Sequence, residues 1–304
     1  MYNRRELGRA TLAGLAAPFL AALAPAGSEG GLGVQTCSFR GLKRVAGIDA
    51  LDALVDAVAA CGVRHCELFA PQVEAQFGSA HAGHHTMSAM SPQMMRRELR
   101  KWRLRTPRSY FAAIGARFQK AGIRIQAYDY SPDRSFTDEE INQGFVAAKA
   151  IGADLITAAA TAEVASRMAP FAERHRMVVA ILDRQRTAAA AGIAPSSRPV
   201  PVTNLSGYFK VNLDIGSCTA AHLDPLVYLR EHHSAIRTVR LNDRRRNGDS
   251  VQWGEGDAPI REVLKLLKRE GWPIRAYVDY DYDGRATPVE EVKRCLAYAK
   301  QALG

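Results

Sequence analysis

The sequence predicts an α/β protein that folds as a single (β/α)₈ barrel, and three observations lead to this prediction. Eight short apolar runs alternate with amphipathic helical segments over about 250 residues, which is the usual size of such a barrel. No glycine-rich phosphate loop follows the first run, as the alternative, an open doubly wound sheet, would usually require. Four predicted helices end at a glycine that leads into the next run: Gly62, Gly122, Gly152 and Gly271.

The predicted strands are short and continuously apolar, as expected for a parallel sheet covered by helices on its outer face. In chain order they are 33–38, 65–69, 123–128, 155–158, 178–182, 209–214, 236–241 and 274–279. The helix over 51–58 places its leucines and valines at i, i+3, i+4 and i+7, and so does the helix over 260–267. The stretch 71–108 is longer than the other connections, so it is an insertion on the face that carries the active site in barrels and a candidate lid.

Composition agrees with a globular domain and excludes two classes of protein. The chain has 304 residues, of which 47% are hydrophobic and 24% charged, so it is neither disordered nor fibrous. Its formal charge of +10 favours anionic ligands or surfaces without saying which. Five cysteines without a CxxC pair do not form a disulfide framework.

The first 26 residues are predicted to be an export signal of the twin-arginine class. Arg4 and Arg5 precede a weakly apolar run over 10–23, and Ala24-Pro25-Ala26 matches a cleavage site. The run is shorter than a bilayer requires, and no second hydrophobic span follows it. We therefore expect a periplasmic mature protein, residues 27–304, without a transmembrane segment; a frayed amphipathic helix is the alternative.

Carboxylates follow most of the predicted strands, at the barrel end where active sites lie. This end, with the loops that leave it, is called the mouth below. The acids are Glu67, Asp129, Asp183, Asp214, Asp243, Asp279 and Asp281. Converging acids suit either a divalent-cation site or an acid/base pair, whereas neighbouring arginines such as Arg184, Arg240 and Arg244 offer a purely structural alternative. The fourth strand ends in alanines and is expected to contribute no chemistry.

Four stretches resemble the last three strands of sugar phosphate isomerase/epimerase-like proteins, in the xylose isomerase-like TIM-barrel superfamily. They are VNLDIGS at 211–217, VRLNDR at 239–244, WGEGD at 253–257 and YVDY at 277–280. The resemblance implies a divalent metal, often manganese, held by two glutamates, an aspartate and a histidine, with proton transfer beside a sugar carbonyl. Carried over to this chain, it implies Asp214 and Asp279 as metal ligands.

Several positions depart from that ligand set, so metal dependence is doubtful. Leu182, Ser217 and Arg240 stand where the resemblance implies ligands or their neighbours, and an arginine repels a dication. We expect either no cofactor or a weakly bound divalent cation such as Mn²⁺. As a specific alternative, the Arg240 guanidinium occupies the metal position and bridges Asp214 and Asp279.

The resemblance implies a small-molecule carbohydrate partner and an isomerase, epimerase or lyase that moves a proton beside a carbonyl. Asp279 and Asp183 are the candidate acid/base groups, and Arg240 would stabilise the enediolate. The residues expected to contact the substrate are Glu67, Asp243, Trp253 and Arg184. The rival hypothesis is a non-catalytic barrel that binds a carbohydrate or a partner.

Two further features are expected to be surface features only. The basic run over 96–108, around Trp102, is predicted to be a solvated helix face, and the histidines of 81–85 a solvated loop. Eight scattered histidines do not form a nuclease metal centre, so we do not expect a nucleic-acid partner. Barrels of this superfamily often form homodimers, but nothing in the sequence marks an interface.

Overall fold

Eight parallel strands close into a barrel in sequence order, with β8 paired to β1. The computed structural model describes residues 32–42, 49–75, 90–183 and 201–304, so the proposed signal peptide lies outside the described residues. The strands are β1 Gly33–Gln35, β2 His65–Phe69, β3 Arg124–Asp129, β4 Leu155–Ala158, β5 Val178–Asp183, β6 Phe209–Asp214, β7 Ile236–Leu241 and β8 Arg275–Val278. The predicted (β/α)₈ barrel is therefore confirmed.

Helices connect the strands and cover the barrel. They are α1 Ala50–Ala60, α2 Pro92–Arg105, α3 Arg108–Lys120, α4 Asp138–Ile151, α5 Ala162–His175, α6 Ile215–Ala220, α7 Pro225–His232, α8 Ile260–Glu270 and α9 Pro288–Leu303. The four glycines predicted at helix ends all have positive φ, between 61° and 89°, as a helix-ending glycine requires. Among the described residues, no helix is long and apolar enough to cross a membrane.

Successive side chains of each strand point to opposite faces of the sheet, so the buried residues fall into two sets. One set of side chains packs between the strands and the helices and forms the large hydrophobic core, including Val211, Leu213 and Val239. The other set points into the barrel, where Ala127, Leu155, Ala180 and Tyr277 form a small apolar floor. Polar residues follow on the inward face above this floor. This alternation is what directs the strand-end acids into the mouth.

The first strand is shorter than predicted, because Thr36–Phe39 forms a 3₁₀ turn instead of continuing β1. The Gln35 carbonyl side-chain oxygen accepts the N–H of Cys37, and the Thr36 hydroxyl accepts the N–H of Phe69 at 2.8 Å. These side chains take main-chain donors that a longer strand would need for pairing. The turn leaves Gln35 as the last residue of β1, with its amide inside the barrel.

The basic run in the insertion is only partly a solvated face, which corrects the prediction for 96–108. Within the insertion, α2 lies against the start of α4, where the Glu140 carboxylate is fully buried. Arg96 binds both Glu140 oxygens at 2.7 and 3.0 Å, and Arg100 binds one at 3.0 Å. Arg103 pairs with Glu74 and reaches Glu140 at 3.4 Å. These arginines hold the Glu140 pKa at about 2 despite its burial.

Replacing Glu140 with glutamine should loosen α2, because its arginines would lose their shared counter-charge. We expect a loss of about 1–3 kcal/mol in unfolding free energy and faster trypsin cleavage within Pro92–Arg105. Glu139→Gln, an exposed position on the same helix, is the matched control. Equal cleavage rates in the two variants would show that the ion pairs do not anchor α2.

Candidate active site at the barrel mouth

Arg240 lies at the centre of the mouth and joins carboxylates from the opposite side of the barrel. Its Nη2 donates to Glu67 Oε1 at 3.1 Å and to Asp129 Oδ2 at 2.8 Å. Burial alone would lower the Arg240 pKa, but Glu67, Asp129 and Asp279 together raise it well above its usual value. The guanidinium therefore remains charged. The predicted bridge between Asp214 and Asp279 is wrong, because Arg240 bridges Glu67 and Asp129 instead.

The two outer nitrogens of Arg240 have different surroundings. Both ion pairs use Nη2, and Nη1 makes no hydrogen bond with the described part of the chain. Nη1 is also not among the fully buried unpaired atoms, whereas Nε is. Nη1 is thus open to the mouth, where it can donate to a ligand oxygen. Arg240 can hold a substrate without breaking its ion pairs.

The Glu67 side chain is fully buried beside Arg240. Its Oε1 accepts the Thr157 hydroxyl as well as Arg240, and its Oε2 is buried without a partner among the described residues. Burial raises the Glu67 pKa, and Arg240 opposes that rise. The sequence predicts that Glu67 contacts the substrate; in the structure Glu67 has no exposed surface and anchors Arg240.

Asp129 is the second carboxylate that binds Arg240, and it also accepts a hydrogen bond from Gln35 of β1. Its Oδ2 accepts from Gln35 Nε2 at 3.1 Å, and its Oδ1 accepts the Ser131 hydroxyl at 3.1 Å. Both carboxylate oxygens are therefore used by donors. Because Thr157, Gln35 and Ser131 hold the two carboxylates, these carboxylates in turn position the Arg240 guanidinium.

Asp279 differs from the other acids because its carboxylate makes no hydrogen bond within the described ranges. The residue follows β8, and only its main-chain N–H is bonded, to Leu241 at 2.9 Å. Its side chain is partly exposed, and neither oxygen is among the fully buried unpaired atoms. Burial raises the Asp279 pKa to about 7; Arg240 lowers it, and Asp281, Asp214 and Glu67 raise it. The mouth therefore contains an accessible carboxyl group that titrates near neutral pH.

Asp214 has a mainly structural environment. One carboxylate oxygen accepts the Ser217 N–H at 2.8 Å and caps α6, and the other accepts from Asn242 Nδ2 at 3.3 Å. Gly216 is required beside it, since a Cβ there would lie 2.2 Å from Asn242 Oδ1. Asp214 still acts on Asp279 through its charge.

The described residues do not fit the divalent cation that the sequence resemblance implies. A guanidinium bridges the acids at the centre of the mouth, and a dication beside it would be repelled. The Asp214 oxygens already accept two N–H groups. Among the described residues, no cluster of three or more histidine, cysteine or acidic side chains could hold a metal. The described surroundings of Asp214 and Asp279 therefore do not favour them as metal ligands.

Asp243, a predicted substrate contact, is buried in the structure and organises the loop after β7. Its carboxylate accepts the N–H groups of Gly254 at 2.7 Å, Gly256 at 3.2 Å and Ala258 at 3.3 Å. Only 1% of Asp243 is exposed. Trp253 is also buried, with its ring 6.0 Å from that of Tyr298 and edge-on to it, so the predicted substrate contact is replaced by core packing.

A methyl group at Gly256 should destabilise this loop. The Cβ of Gly256→Ala would lie 2.2 Å from Asp243 Oδ1, so the carboxylate would have to leave its N–H donors. We expect a loss of about 2 kcal/mol, seen as a lower melting temperature. Gly207→Ala is the control, because a Cβ there meets nothing within 4 Å. Equal melting temperatures would contradict the role given to Asp243.

No protein-family model matches the chain, and no curated protein matches it in sequence. Solved structures do match it in fold. A D-psicose 3-epimerase, solved in the presence of D-fructose, has a TM-score of 0.61 at 12% identity, covering 90% of this chain and 99% of that one. A sugar phosphate isomerase/epimerase from Parabacteroides distasonis has 0.57 at 15%, covering 88% and 94%. A xylose isomerase domain protein from Alicyclobacillus acidocaldarius has 0.51 at 14%, covering 90% and 99%.

This chain shares its (β/α)₈ barrel fold with these three proteins. The resemblance found in the sequence is thus confirmed for the fold, and the structural neighbours include proteins named as sugar isomerases and epimerases. At these identities the match does not assign a substrate or a metal. The site must be interpreted from its own residues.

Sequence reasoning missed two side chains of this barrel. Gln35 lies inside a predicted longer strand, and Thr157 belongs to the strand from which no chemistry was expected. Thr157 in fact binds Glu67, and Gln35 binds Asp129. A signal was present, because both residues are polar at inward positions of otherwise apolar strands.

Several predicted site groups lie outside the described residues. The main chain of Asp183 ends β5 opposite Leu213, but its side chain and all of Arg184 lie outside the described residues. The histidines of 81–85 lie outside them as well.

Proposed function

We propose that this protein binds a sugar or keto-sugar at the barrel mouth and moves a proton beside the sugar carbonyl, as an isomerase or epimerase does. The observation that carries the proposal is the Asp279 carboxylate, which is accessible, unbonded within the described chain and poised near pH 7. A general base is most effective when its pKa lies near the working pH. The fold likeness to sugar epimerases supports the substrate class.

Arg240 supplies the second part of the chemistry. Proton removal beside a carbonyl places negative charge on the carbonyl oxygen, and a positioned cation stabilises that enediolate. The free Nη1 of Arg240 can donate to this oxygen, while Glu67 and Asp129 hold the guanidinium in place. Asp279 interacts electrostatically with Arg240, so the base and the cation share one site. Asp183, at the end of β5, remains the sequence-based candidate for the second acid/base group.

The test uses the full chain in D₂O with D-fructose and L-ribulose. These two ketoses appear in the names of solved structures that share its fold, an L-ribulose 3-epimerase and the D-psicose 3-epimerase with D-fructose. We expect deuterium to replace the hydrogen on the carbon beside the carbonyl. Mass spectrometry and proton NMR would detect this exchange. Addition of EDTA should leave the rate unchanged, because no step depends on a metal. Sugar-induced thermal stabilisation without deuterium uptake would support the non-catalytic binding barrel instead.

We also propose that residues 1–26 direct export through the twin-arginine pathway. The support is the paired arginines, the weak apolar run and the small-residue cleavage pattern. Mass analysis of the N-terminus from a periplasmic fraction should find a chain that starts near Gly27. A full-length chain confined to the cytoplasm would contradict this proposal.

A further inference from the structure

The basic run over 96–108 is divided between two sides of α2. It contains seven basic residues and one acid, Glu98. Three of the basic side chains pair with the carboxylates of Glu140 and Glu74, on the side of the helix that faces the barrel. The other four basic residues are exposed to solvent: Arg97, Lys101, Arg105 and Arg108. The inward half of the run anchors the helix, and the outward half has no such structural role.

From Met94 to the end of α2, the exposed residues lie on one face of the helix. They are called the outer face of α2 below: Met94, Arg97, Lys101, Leu104 and Arg105. At 3.6 residues per turn, these positions fall within an arc of about 100° and span about 16 Å along the helix axis. Met94 and Leu104, at 49% and 46%, are the most exposed large hydrophobic side chains of the described chain. The outer face therefore combines three cations with two apolar side chains that lie largely in solvent.

One acid partly balances the cations within α2 itself. Glu98 is the only acidic residue of this helix, and its Oε1 lies 2.7 Å from Lys101 Nζ and 3.6 Å from Arg97 Nε. A single carboxylate is thus shared between two cations, and Arg105 adds a third. The outer face keeps a net positive charge.

The neighbouring parts of the chain add little negative charge. α4 packs against α2 and has three acids, of which Asp138 pairs with Arg167, Glu140 is buried and Glu139 is exposed. Three internal stretches outside the described residues contain no aspartate or glutamate at all: 43–48, 76–89 and 184–200. A counter-charge for the outer face therefore has to come mainly from a partner.

We propose that the outer face of α2 docks on an anionic phospholipid bilayer. The bilayer offers phosphate groups to Arg97, Lys101 and Arg105, and just beneath them an apolar layer to Met94 and Leu104. A nucleic acid would match the cations but would leave both apolar side chains in water. A second copy of this chain would bring two basic faces together. The docking surface lies outside the mouth, so the proposal does not depend on the proposed reaction.

The test is co-sedimentation of the full chain with two kinds of vesicle, phosphatidylcholine alone and an equal mixture of phosphatidylcholine and phosphatidylglycerol. We expect at least about tenfold tighter binding to the anionic vesicles, and a loss of this preference when salt is added. Every variant below keeps residues 1–26, so any contribution of that apolar run is common to all. Equal binding to both kinds of vesicle, or tighter binding to a DNA duplex than to the anionic vesicles, would overturn the proposal.

The first variant combines Arg97→Gln, Lys101→Gln and Arg105→Gln. We expect it to bind the anionic vesicles at least about tenfold more weakly than wild type, because each cation near such a surface adds to the attraction. The matched control removes three exposed cations from α8 and α9: Lys265→Gln, Lys293→Gln and Lys300→Gln. It should bind within about twofold of wild type, because charges far from the bilayer are screened. Equal losses would mean that net charge alone draws the chain to the bilayer, and would overturn the proposal.

The second variant, Met94→Ser with Leu104→Ser, keeps every charge and removes the apolar side chains. We expect roughly fivefold weaker binding to the anionic vesicles, since the lost area no longer leaves water on docking. Val227→Ser, at an exposed position of α7, should bind as wild type does. All substituted residues are exposed, so the melting temperatures should stay close to that of wild type. Unchanged binding of the serine variant would show attraction through charge alone, and would overturn the assignment to a lipid surface.

Discussion

Replacing Asp279 with asparagine is expected to lower the rate of sugar C–H exchange by about 10²- to 10⁴-fold, the usual contribution of a positioned general base. Asparagine keeps the size of the side chain but cannot take a proton. Because the Asp279 pKa is raised to about 7, kcat/KM of the wild type should rise with pH below 7 and level off above it. The measurement is deuterium uptake over a range of pH.

Stability provides the control for this variant. The Asp279 pKa is higher in the folded chain than its usual value of 3.8, so the folded state binds more protons between about pH 4 and pH 7. Wild-type stability should therefore fall as pH rises through this window. Asp279→Asn removes the buried charge and should be more stable than wild type at pH 8. Retained exchange, or a variant less stable at pH 8, would contradict the role of Asp279.

Replacing Arg240 with leucine is expected to cost about 3–5 kcal/mol in unfolding free energy, the usual effect of removing one partner of a buried ion pair. Glu67 and Asp129 would both lose their cation inside the barrel. The loss should be smaller at pH 5 than at pH 8, because Glu67 can then escape its penalty by taking a proton. Urea unfolding at both pH values measures this difference.

Arg237→Leu is the matched control, since Arg237 lies on the same strand but donates to the main-chain carbonyl of Pro273 at 2.7 Å. Its replacement should cost about 1 kcal/mol, as for a single hydrogen bond, and should show little dependence on pH. Equal losses at the two positions would mean that the Arg240 bridge adds no special stabilisation.

The sequence alone determined the fold and the end of the barrel at which the candidate site residues lie. Strand and helix patterns depend on neighbours a few residues apart, so the strand β2 at His65–Phe69, the helix-ending Gly152 and the closed parallel barrel could be predicted. Because parallel strands end at one edge, the acids that follow them could also be assigned to the mouth. The strongest candidates, Asp279 and Arg240, were found in this way.

Only the tertiary structure decided which of these side chains meet. The stagger of strands around the barrel brings Arg240 to Glu67 and Asp129, not to Asp214 and Asp279, and sequence does not reveal that stagger. The path of the loop after β7 likewise brings three main-chain N–H groups to Asp243. The rise of the Asp279 pKa to about 7 also depends on the folded surroundings, because desolvation and the charges of Asp281, Asp214 and Glu67 outweigh the opposing effect of Arg240. Local pattern fixes where a residue lies along the chain, whereas its chemistry depends on partners contributed by distant strands.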